Sequence, residues 1–372
     1  MSIATPELTL NAVLQSSVLI LISNLVYIGN NYLVAWTQLQ APEIALVRGT
    51  CQIVIFGAIL WRGRADEKAE KSGNSVLVLI EIPISDFVPE QKSSPYLLYL
   101  QIVIYGFAVS TMSFTCLAAI PLIPIGDLIV ICFASPVFSV FLDRLVIKRL
   151  LTFLSVSLCF LIVLGDVLVV QPPFIFGEKD TRNETSLNVD DEGPSQRKHG
   201  QYYYVGVGLC VYGAVSHAVT NVFGAKCSQK KISSSQLMLV SGISSFLLSL
   251  ISASFLPNRL LTSPQSLSLK AATLLPVSAG ITMVAYWTIT LAISITHHPT
   301  LISMLRSTEI LISLVTEALW WNELPGTISL LGSLLVAACV LTMAAHDKIM
   351  TASRCGVKGD EEEEVDTIQT RL

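Results

Sequence analysis

Stretches of about twenty consecutive apolar residues recur along the chain, and this repetition constrains its fold more than any other feature. A helix needs about twenty apolar residues to cross a hydrocarbon core of about 30 Å. The stretches fall into two sets of five, separated by a polar loop, and they predict ten transmembrane helices. The predicted spans are residues 12–35, 43–61, 96–118, 122–143, 151–171, 203–225, 235–256, 272–292, 299–321 and 326–346.

The composition also indicates a membrane protein. Hydrophobic residues make up 52% of the chain and charged residues only 13%, whereas about a quarter of the residues in soluble domains are charged. Pro136 and Gly165 lie inside predicted spans, where such residues are better tolerated than in helices in water. We therefore predict an all-α membrane protein in contact with the lipid bilayer.

The distribution of positive charge predicts the orientation. If the N-terminus is cytoplasmic, the inner connections hold 15 of the 23 Lys and Arg residues, the outer ones hold six, and Arg48 and Arg306 lie inside spans. Cytoplasmic connections carry the excess of Lys and Arg, so both termini are predicted to be cytoplasmic. Residues 172–202 then form a polar outer loop, in which Asn183 begins an N-x-T glycosylation sequon.

Several classes of function have no support in the sequence. The eight cysteines are scattered and form no CxxC pair, so neither a zinc site nor a disulfide framework is expected. No phosphate-binding glycine loop, nucleophile elbow or metal-ligand spacing is present. The net charge of -4 comes largely from the acidic run 360–364. We therefore expect no enzyme activity, no cofactor, no metal and no nucleic acid partner.

The two sets of five spans align with each other. Residues 46–49 of the second span fall on residues 239–242 of the seventh, and in the fourth and ninth spans Ser135 falls on Glu309 and Asp143 on Glu317. Because five is an odd number, the second half must be inverted in the membrane relative to the first. Inverted repeats are a recurring architecture of secondary transporters, with the substrate site near the midplane.

Three local motifs resemble a known family. They lie at residues 126–138, which include Ser135-Pro136-Val137-Phe138, at residues 170–177 and at residues 305–309. Together with the two five-span repeats, they resemble the EamA-type members of the drug/metabolite transporter superfamily, and most closely the solute carrier 35 family, subgroup G.

The resemblance implies a ten-helix bundle that moves a small organic solute by alternating access. Its repeats would be residues 12–171 and 203–346. The long connection 62–95 and the acidic linker after Gly177 depart from the family pattern, so neither inherits a role.

Charged residues inside the spans are the first candidates for a site, because each is costly at the bilayer centre and usually faces the bundle interior. Arg306, Glu309, Ser313 and Glu317 share one face of the ninth span. This face either lines a cavity or holds an Arg306–Glu309 pair that neutralises itself. Asp143 and Glu317 lie near the membrane boundaries and are left outside the site.

Arg48 is a second cation inside a span. It either pairs with Asp127, at the start of the fourth span, or remains free to bind an anion, because a guanidinium presents a planar fork of donors suited to carboxylate or phosphate. Neutral polar residues form two further faces, which either hold helices together or contact the solute. These faces comprise Asn24, Tyr27 and Asn31 in the first span and His217, Thr220 and Asn221 in the sixth.

The sequence therefore predicts a multi-pass secondary transporter of a small organic anion in the plasma membrane or an endomembrane. The predicted substrate-binding residues are Arg48, Asp127, Arg306, Glu309, Asn24 and His217. Two alternatives stay open: a membrane adaptor that uses the same fold for protein contacts, and a nucleotide-sugar transporter.

Protein partners are also open at this stage. Residues 347–372 are predicted to form an acidic cytoplasmic tail whose last residues, Thr370, Arg371 and Leu372, fit a PDZ-domain ligand. A homodimer is a second candidate assembly.

Overall fold

The computed structural model describes most of the chain between Leu10 and Ala345. The described residues are 10–37, 41–71, 95–119, 122–123, 125–148, 152–171, 173–176, 202–255, 269–321 and 326–345. Helices and their connections account for these residues, and no strand occurs among them. The glycosylation sequon, most of the long connection 62–95 and the C-terminal tail lie outside them.

We number the helices in chain order. They are α1 (Leu10–Thr37), α2 (Ala41–Lys71), α3 (Pro95–Ala119), α4 (Ile125–Cys132), α5 (Ser135–Leu142), α6 (Phe153–Val170), α7 (Pro173–Phe176), α8 (Tyr203–Gln229), α9 (Ser234–Ser252), α10 (Leu269–Thr296), α11 (Pro299–Trp321) and α12 (Thr327–Ala345).

Nine segments in the described part of the chain are long and apolar enough to cross a membrane. The remaining predicted span, the ninth at 299–321, is the helix α11; it has a suitable length of 23 residues but carries Arg306, Glu309 and Glu317, so it is less apolar than the others. Large apolar side chains cover the outside of the bundle, and many of its polar side chains are buried. This distribution suits a lipid environment. The chain is an all-α, multi-pass membrane protein.

The fourth predicted span, 122–143, is not one continuous helix. It is divided into α4 and α5 by a turn at residues 133–134, and α5 continues into a π-helical turn at Asp143–Ile147. Pro136, in the first turn of α5, has no N–H group to donate to a preceding carbonyl, which favours a new helix start at this point. The break puts Ser135 at the beginning of a helix inside the bundle.

The second predicted span is longer than expected. We predicted an end near residue 61, whereas α2 continues to Lys71. Its last turns contain several charged residues, so the helix projects beyond the apolar span. Hydrophobicity marks only the part of a helix that lies in the hydrocarbon, and helical structure can continue past it.

Helices from the two halves of the chain pack against each other throughout the bundle. The most extensive contacts join α2 to α9, α1 to α10 and α3 to α8. Glycines permit some of the closest approaches: Gly49 of α2 and Gly242 of α9 face each other, as do Gly165 of α6 and Gly332 of α12. Small residues allow such backbone contact between membrane helices. The polar side chains described next lie between these packed helices.

Candidate functional site

A hydrogen-bonded chain of three side chains joins α11, α8 and α5. Nη1 of Arg306 hydrogen-bonds Nε2 of His217, and Nδ1 of His217 lies 2.7 Å from the Ser135 hydroxyl oxygen. An arginine side chain can only donate, so Nε2 accepts and the ring proton lies on Nδ1, which donates to Ser135. His217 is therefore a neutral imidazole in this arrangement. Arg306 and His217 are both about 5% exposed.

A strip of smaller polar groups extends this chain along the same three helices. The Asn221 amide donates to Ser303 Oγ at 2.8 Å, and the hydroxyl groups of Ser303 and Ser139 lie 2.6 Å apart. Farther along, the Thr300 hydroxyl donates to Asp143 Oδ2 at 3.1 Å. The contact surface of α5, α8 and α11 is therefore lined with polar side chains over about two helical turns.

Asn24 and Glu309 lie next to this strip. Asn24 Nδ2 of α1 donates to Thr308 Oγ1 at 3.2 Å and approaches the carbonyl oxygen of Arg306 at 3.5 Å. Glu309 is 4% exposed, and no described residue hydrogen-bonds its Oε2. Four helices, α1, α5, α8 and α11, thus contribute side chains to one buried polar region.

Several buried polar atoms of this region have no hydrogen-bond partner among the residues that the structure describes. They are Asn24 Oδ1, Asn221 Oδ1, Arg306 Nε, Ser307 Oγ and Glu309 Oε2. A buried donor or acceptor left unpaired costs about 1–3 kcal/mol, so such groups are normally few in a folded protein. Both donors and acceptors occur in the set, and they can therefore bind a polar molecule that has groups of both kinds.

Arg48 occupies a second polar environment. It is 1% exposed, and its guanidinium donates to Ser113 of α3 at 2.6 Å and to Ser245 of α9 at 2.9 Å. The guanidinium carbon also lies 5.2 Å from the ring centre of Tyr286 in α10, a favourable cation–π distance. In the described part of the chain, these contacts are all with neutral groups.

Two tyrosines connect the two arginines. The rings of Tyr27 and Tyr286 pack edge to face with their centres 6.4 Å apart. Tyr286 contacts Arg48 on one side, and on the other Tyr27 lies one turn along α1 from Asn24, whose amide approaches the carbonyl oxygen of Arg306. In the described part of the chain, the hydroxyl group of Tyr286 has no hydrogen-bond partner.

The structure brings together four of the six predicted site residues: Asn24, His217, Arg306 and Glu309. Arg48 lies beyond the tyrosine pair. Asp127 belongs to α4, but its side chain, and with it the predicted Arg48–Asp127 pair, lies outside the described residues. Within the described residues, no group of three or more His, Cys, Asp or Glu side chains is arranged to hold a metal ion.

Sequence reasoning missed several residues of the site. Three of them surround Arg48, namely Ser113, Ser245 and Tyr286. Two others lie in the polar region around Arg306, namely Ser135 and Ser303. Serine is common in membrane helices, so a single serine gives no signal. The alignment of Ser135 with Glu309 was a signal that could have identified Ser135.

Two apolar grooves lie apart from the polar region. One, of about 290 Å³, is bounded by α3 and α8 and includes Phe107 and Tyr212; the other, of about 370 Å³, includes Leu14 and Ile295. Their apolar linings suit lipid rather than a charged solute.

Comparison with known proteins informs the fold. No family model matches the chain, and no curated protein matches it. Among solved structures, 28 chains match. One of them, described as "Crystal structure of protein", superimposes with a TM-score of 0.59 at 12% sequence identity, covering 90% of this chain and 98% of its own. At this identity the similarity establishes a shared helical fold and carries no information on function.

Proposed function

We propose that this protein is a secondary transporter that moves a small organic anion across a membrane by alternating access. The observation that carries the proposal is the environment of Arg48. Its guanidinium is almost completely buried among helices of both halves, and its described contacts are two serine hydroxyls and a tyrosine ring. A charge at this depth is costly, and an anionic substrate would supply the missing negative charge.

The second arginine supports the same substrate class. Arg306 donates to a neutral histidine, while its Nε has no hydrogen-bond partner among the described residues. Two guanidinium groups on either side of a tyrosine pair suit a solute with one or more carboxylates, because guanidinium groups bind carboxylates through paired hydrogen bonds. Asn24 and Asn221 would then bind hydroxyl or carbonyl groups of the solute.

The helix contacts support an inverted repeat. If each helix is exchanged for its counterpart five spans away, the α1–α10 contact becomes the α8–α3 contact, and α3–α9 becomes α10–α2. Likewise, the contact between α1 and α11 becomes the contact of α8 with α4 and α5, which together form the fourth span. The bundle contains both members of each pair. This correspondence is expected of two halves related by a pseudo-twofold axis in the membrane plane, and it agrees with the resemblance to EamA-type transporters.

The break between α4 and α5 supports a transport role. Transporter sites are often formed where a membrane helix is discontinuous. Here Ser135 begins α5 directly after the turn and accepts from His217, which in turn binds Arg306. Movement of α5 relative to α4 would therefore change the contacts of the candidate anion-binding residue.

Uptake into liposomes that contain the purified protein tests the proposal. We expect saturable uptake of at least one compound from a panel of labelled mono-, di- and tricarboxylates, with no added nucleotide. Arg48→Gln should abolish this uptake, whereas Arg62→Gln, which changes an exposed arginine of the same helix, should leave it intact. Uptake of nucleotide sugars alone would contradict the proposed substrate class. No uptake of any solute, together with stable protein partners, would favour the adaptor.

A further inference from the structure

Three cysteines from three helices meet near one end of the bundle. The sulfur atoms of Cys116 in α3 and Cys132 in α4 lie 3.2 Å apart, and the Cys132 sulfur is 4.0 Å from the backbone oxygen of Cys210 in α8. All three are free thiols. A disulfide has an S–S distance of about 2.05 Å, so Cys116 and Cys132 need to approach by only about 1 Å to form one.

The pair is more exposed than the other described span cysteines except Cys51, which is also partly exposed. Cys116 lies one turn before the end of α3, and both Cys116 and Cys132 are partly exposed, whereas Cys159 is buried. Cys132 lies seven residues after the start of α4, and Cys210 lies seven residues after the start of α8. At a rise of 1.5 Å per residue, each cysteine is about 10 Å along its helix axis from that start. Cys116 lies three residues before the end of the apolar segment Tyr96–Ala119, and Cys132 lies two residues after the start of the apolar segment Val130–Ile147, so we expect small reagents to reach the pair from the aqueous side.

The local packing holds the two thiols together. Gly213 of α8 lies behind them, and a Cβ atom at this position would be 3.1 Å from the Cys116 sulfur and 3.2 Å from Thr115 Oγ1. Any larger residue would press on the Cys116 side chain. The glycine therefore leaves room for the Cys116–Cys132 contact, against the face of α8.

We propose that Cys116 and Cys132 form a reversible disulfide when a small peroxide reaches this end of the bundle. One thiolate attacks the peroxide O–O bond, which gives a sulfenic acid and releases water or an alcohol. The second thiol then attacks the sulfenic sulfur, and the S–S bond forms with loss of water. The two thiols lose two electrons in total, and the peroxide accepts them. A dithiol reductant restores both thiols.

The bond would join the end of α3 to the end of α4 across the connection between them. α4 is a separate short helix that packs against α8 and α6, so a covalent link to α3 would restrict its movement. This consequence rests on the proposed function: if transport requires α4 to move relative to α3, oxidation should slow uptake. The disulfide itself does not depend on that function.

Peptide mapping of the purified full-length protein tests the disulfide directly. The chain has no Lys or Arg between Lys92 and Arg144, so trypsin leaves both cysteines in one peptide. Cleavage before aspartate separates them, because Asp127 lies between them and gives peptides 86–126 and 127–142, each with one cysteine. After treatment with hydrogen peroxide and blocking of free thiols, we expect these peptides to be linked until a reductant is added.

Matched variants and a count of free thiols test whether the disulfide forms between Cys116 and Cys132. In the wild type, which has eight thiols, oxidation should lower the number that react with a maleimide by two. The control variant Cys51→Ser should show the same decrease of two when its oxidised and unoxidised forms are compared. Neither Cys116→Ser nor Cys132→Ser should show this decrease in reactive thiols on oxidation. Peptides that stay unlinked, or Cys132 linked to Cys210 instead, would overturn the proposal. Linked peptides without any effect on uptake would retain the disulfide and refute only its role in transport.

Discussion

Gly49 of α2 and Gly242 of α9 meet with their backbones almost in contact. A Cβ atom on Gly49 would lie 2.9 Å from the carbonyl oxygen of Gly242 and 2.7 Å from the backbone nitrogen of Phe246, and a Cβ on Gly242 would lie 3.2 Å from the Gly49 oxygen. These two glycines occupy equivalent positions in the alignment of the two halves. Their contact thus lies where a twofold relationship between the halves would place it.

Replacing Gly49 with alanine should destabilise the protein. The added methyl group meets backbone atoms, which cannot rotate away, and overpacking of this kind costs about 1–3 kcal/mol. Gly57→Ala is the matched control on the same helix, because its Cβ would lie 4.0 Å from a flexible leucine side chain. Thermal unfolding in detergent should show a lower midpoint for Gly49→Ala only. Equal midpoints would contradict the close crossing of α2 and α9.

Substitutions of Arg306 should separate the effect of charge from that of shape. Arg306→Gln removes a buried, hydrogen-bonded charge, which costs about 2–5 kcal/mol in binding and should reduce uptake about thirtyfold or more. Arg306→Lys keeps the charge but loses the planar fork, so we expect mainly a higher apparent KM. Uptake kinetics at equal membrane abundance measure both effects.

The double variant Arg306→Gln with Glu309→Gln tests whether Arg306 serves only to balance a charge. If Arg306 binds the substrate, the double variant should be as inactive as Arg306→Gln alone. Full recovery of uptake would indicate a structural Arg306–Glu309 pair and refute anion binding by Arg306.

Asp166 of α6 should be more harmful to stability than an apolar residue of similar size. It is completely buried, and within the described part of the chain neither carboxylate oxygen has a hydrogen-bond partner. Asp166→Val removes this unpaired group and should stabilise the protein by about 1–3 kcal/mol. Asp166→Asn keeps polar atoms at the same place and should give no such gain. Thermal unfolding of both variants measures the difference, and a lower midpoint for the valine variant would indicate a partner for the carboxyl group.

The predicted orientation can be tested at Asn183, which lies outside the described residues. If loop 172–202 faces the lumen or the cell exterior, the wild-type protein should lose mass on treatment with a glycosidase that removes N-linked glycans. Asn183→Gln should abolish this change, and Asn188→Gln in the same loop, which is not part of a sequon, should keep it. Cleavage of a tag at residue 190 only after a protease is admitted to the cytoplasmic side would contradict the predicted orientation.

The C-terminal tail gives a separate prediction about a protein partner. A PDZ domain binds a terminal carboxylate through backbone donors and an aliphatic last residue in a pocket. A peptide of residues 363–372 should therefore bind at least one member of a PDZ panel, and removal of Leu372 should weaken binding by about tenfold, or 1.4 kcal/mol. Equal binding of the two peptides in a fluorescence titration would exclude this role.

The sequence alone determined that the chain is a multi-pass membrane protein, where its spans approximately lie, and which charged residues inside them were candidates for a site. Hydrophobic runs of membrane-crossing length are a local property of the chain, and so is the cost of Arg48 or Arg306 within them. Tertiary structure decided which side chains meet. Arg306 and Glu309 share a helix face, but the neighbour that Arg306 binds, His217, is 89 residues away in the chain. The serines that hold Arg48 are 65 and 197 residues from it. Helix periodicity determines the direction in which a side chain leaves its own helix, and only packing between helices determines what it meets there.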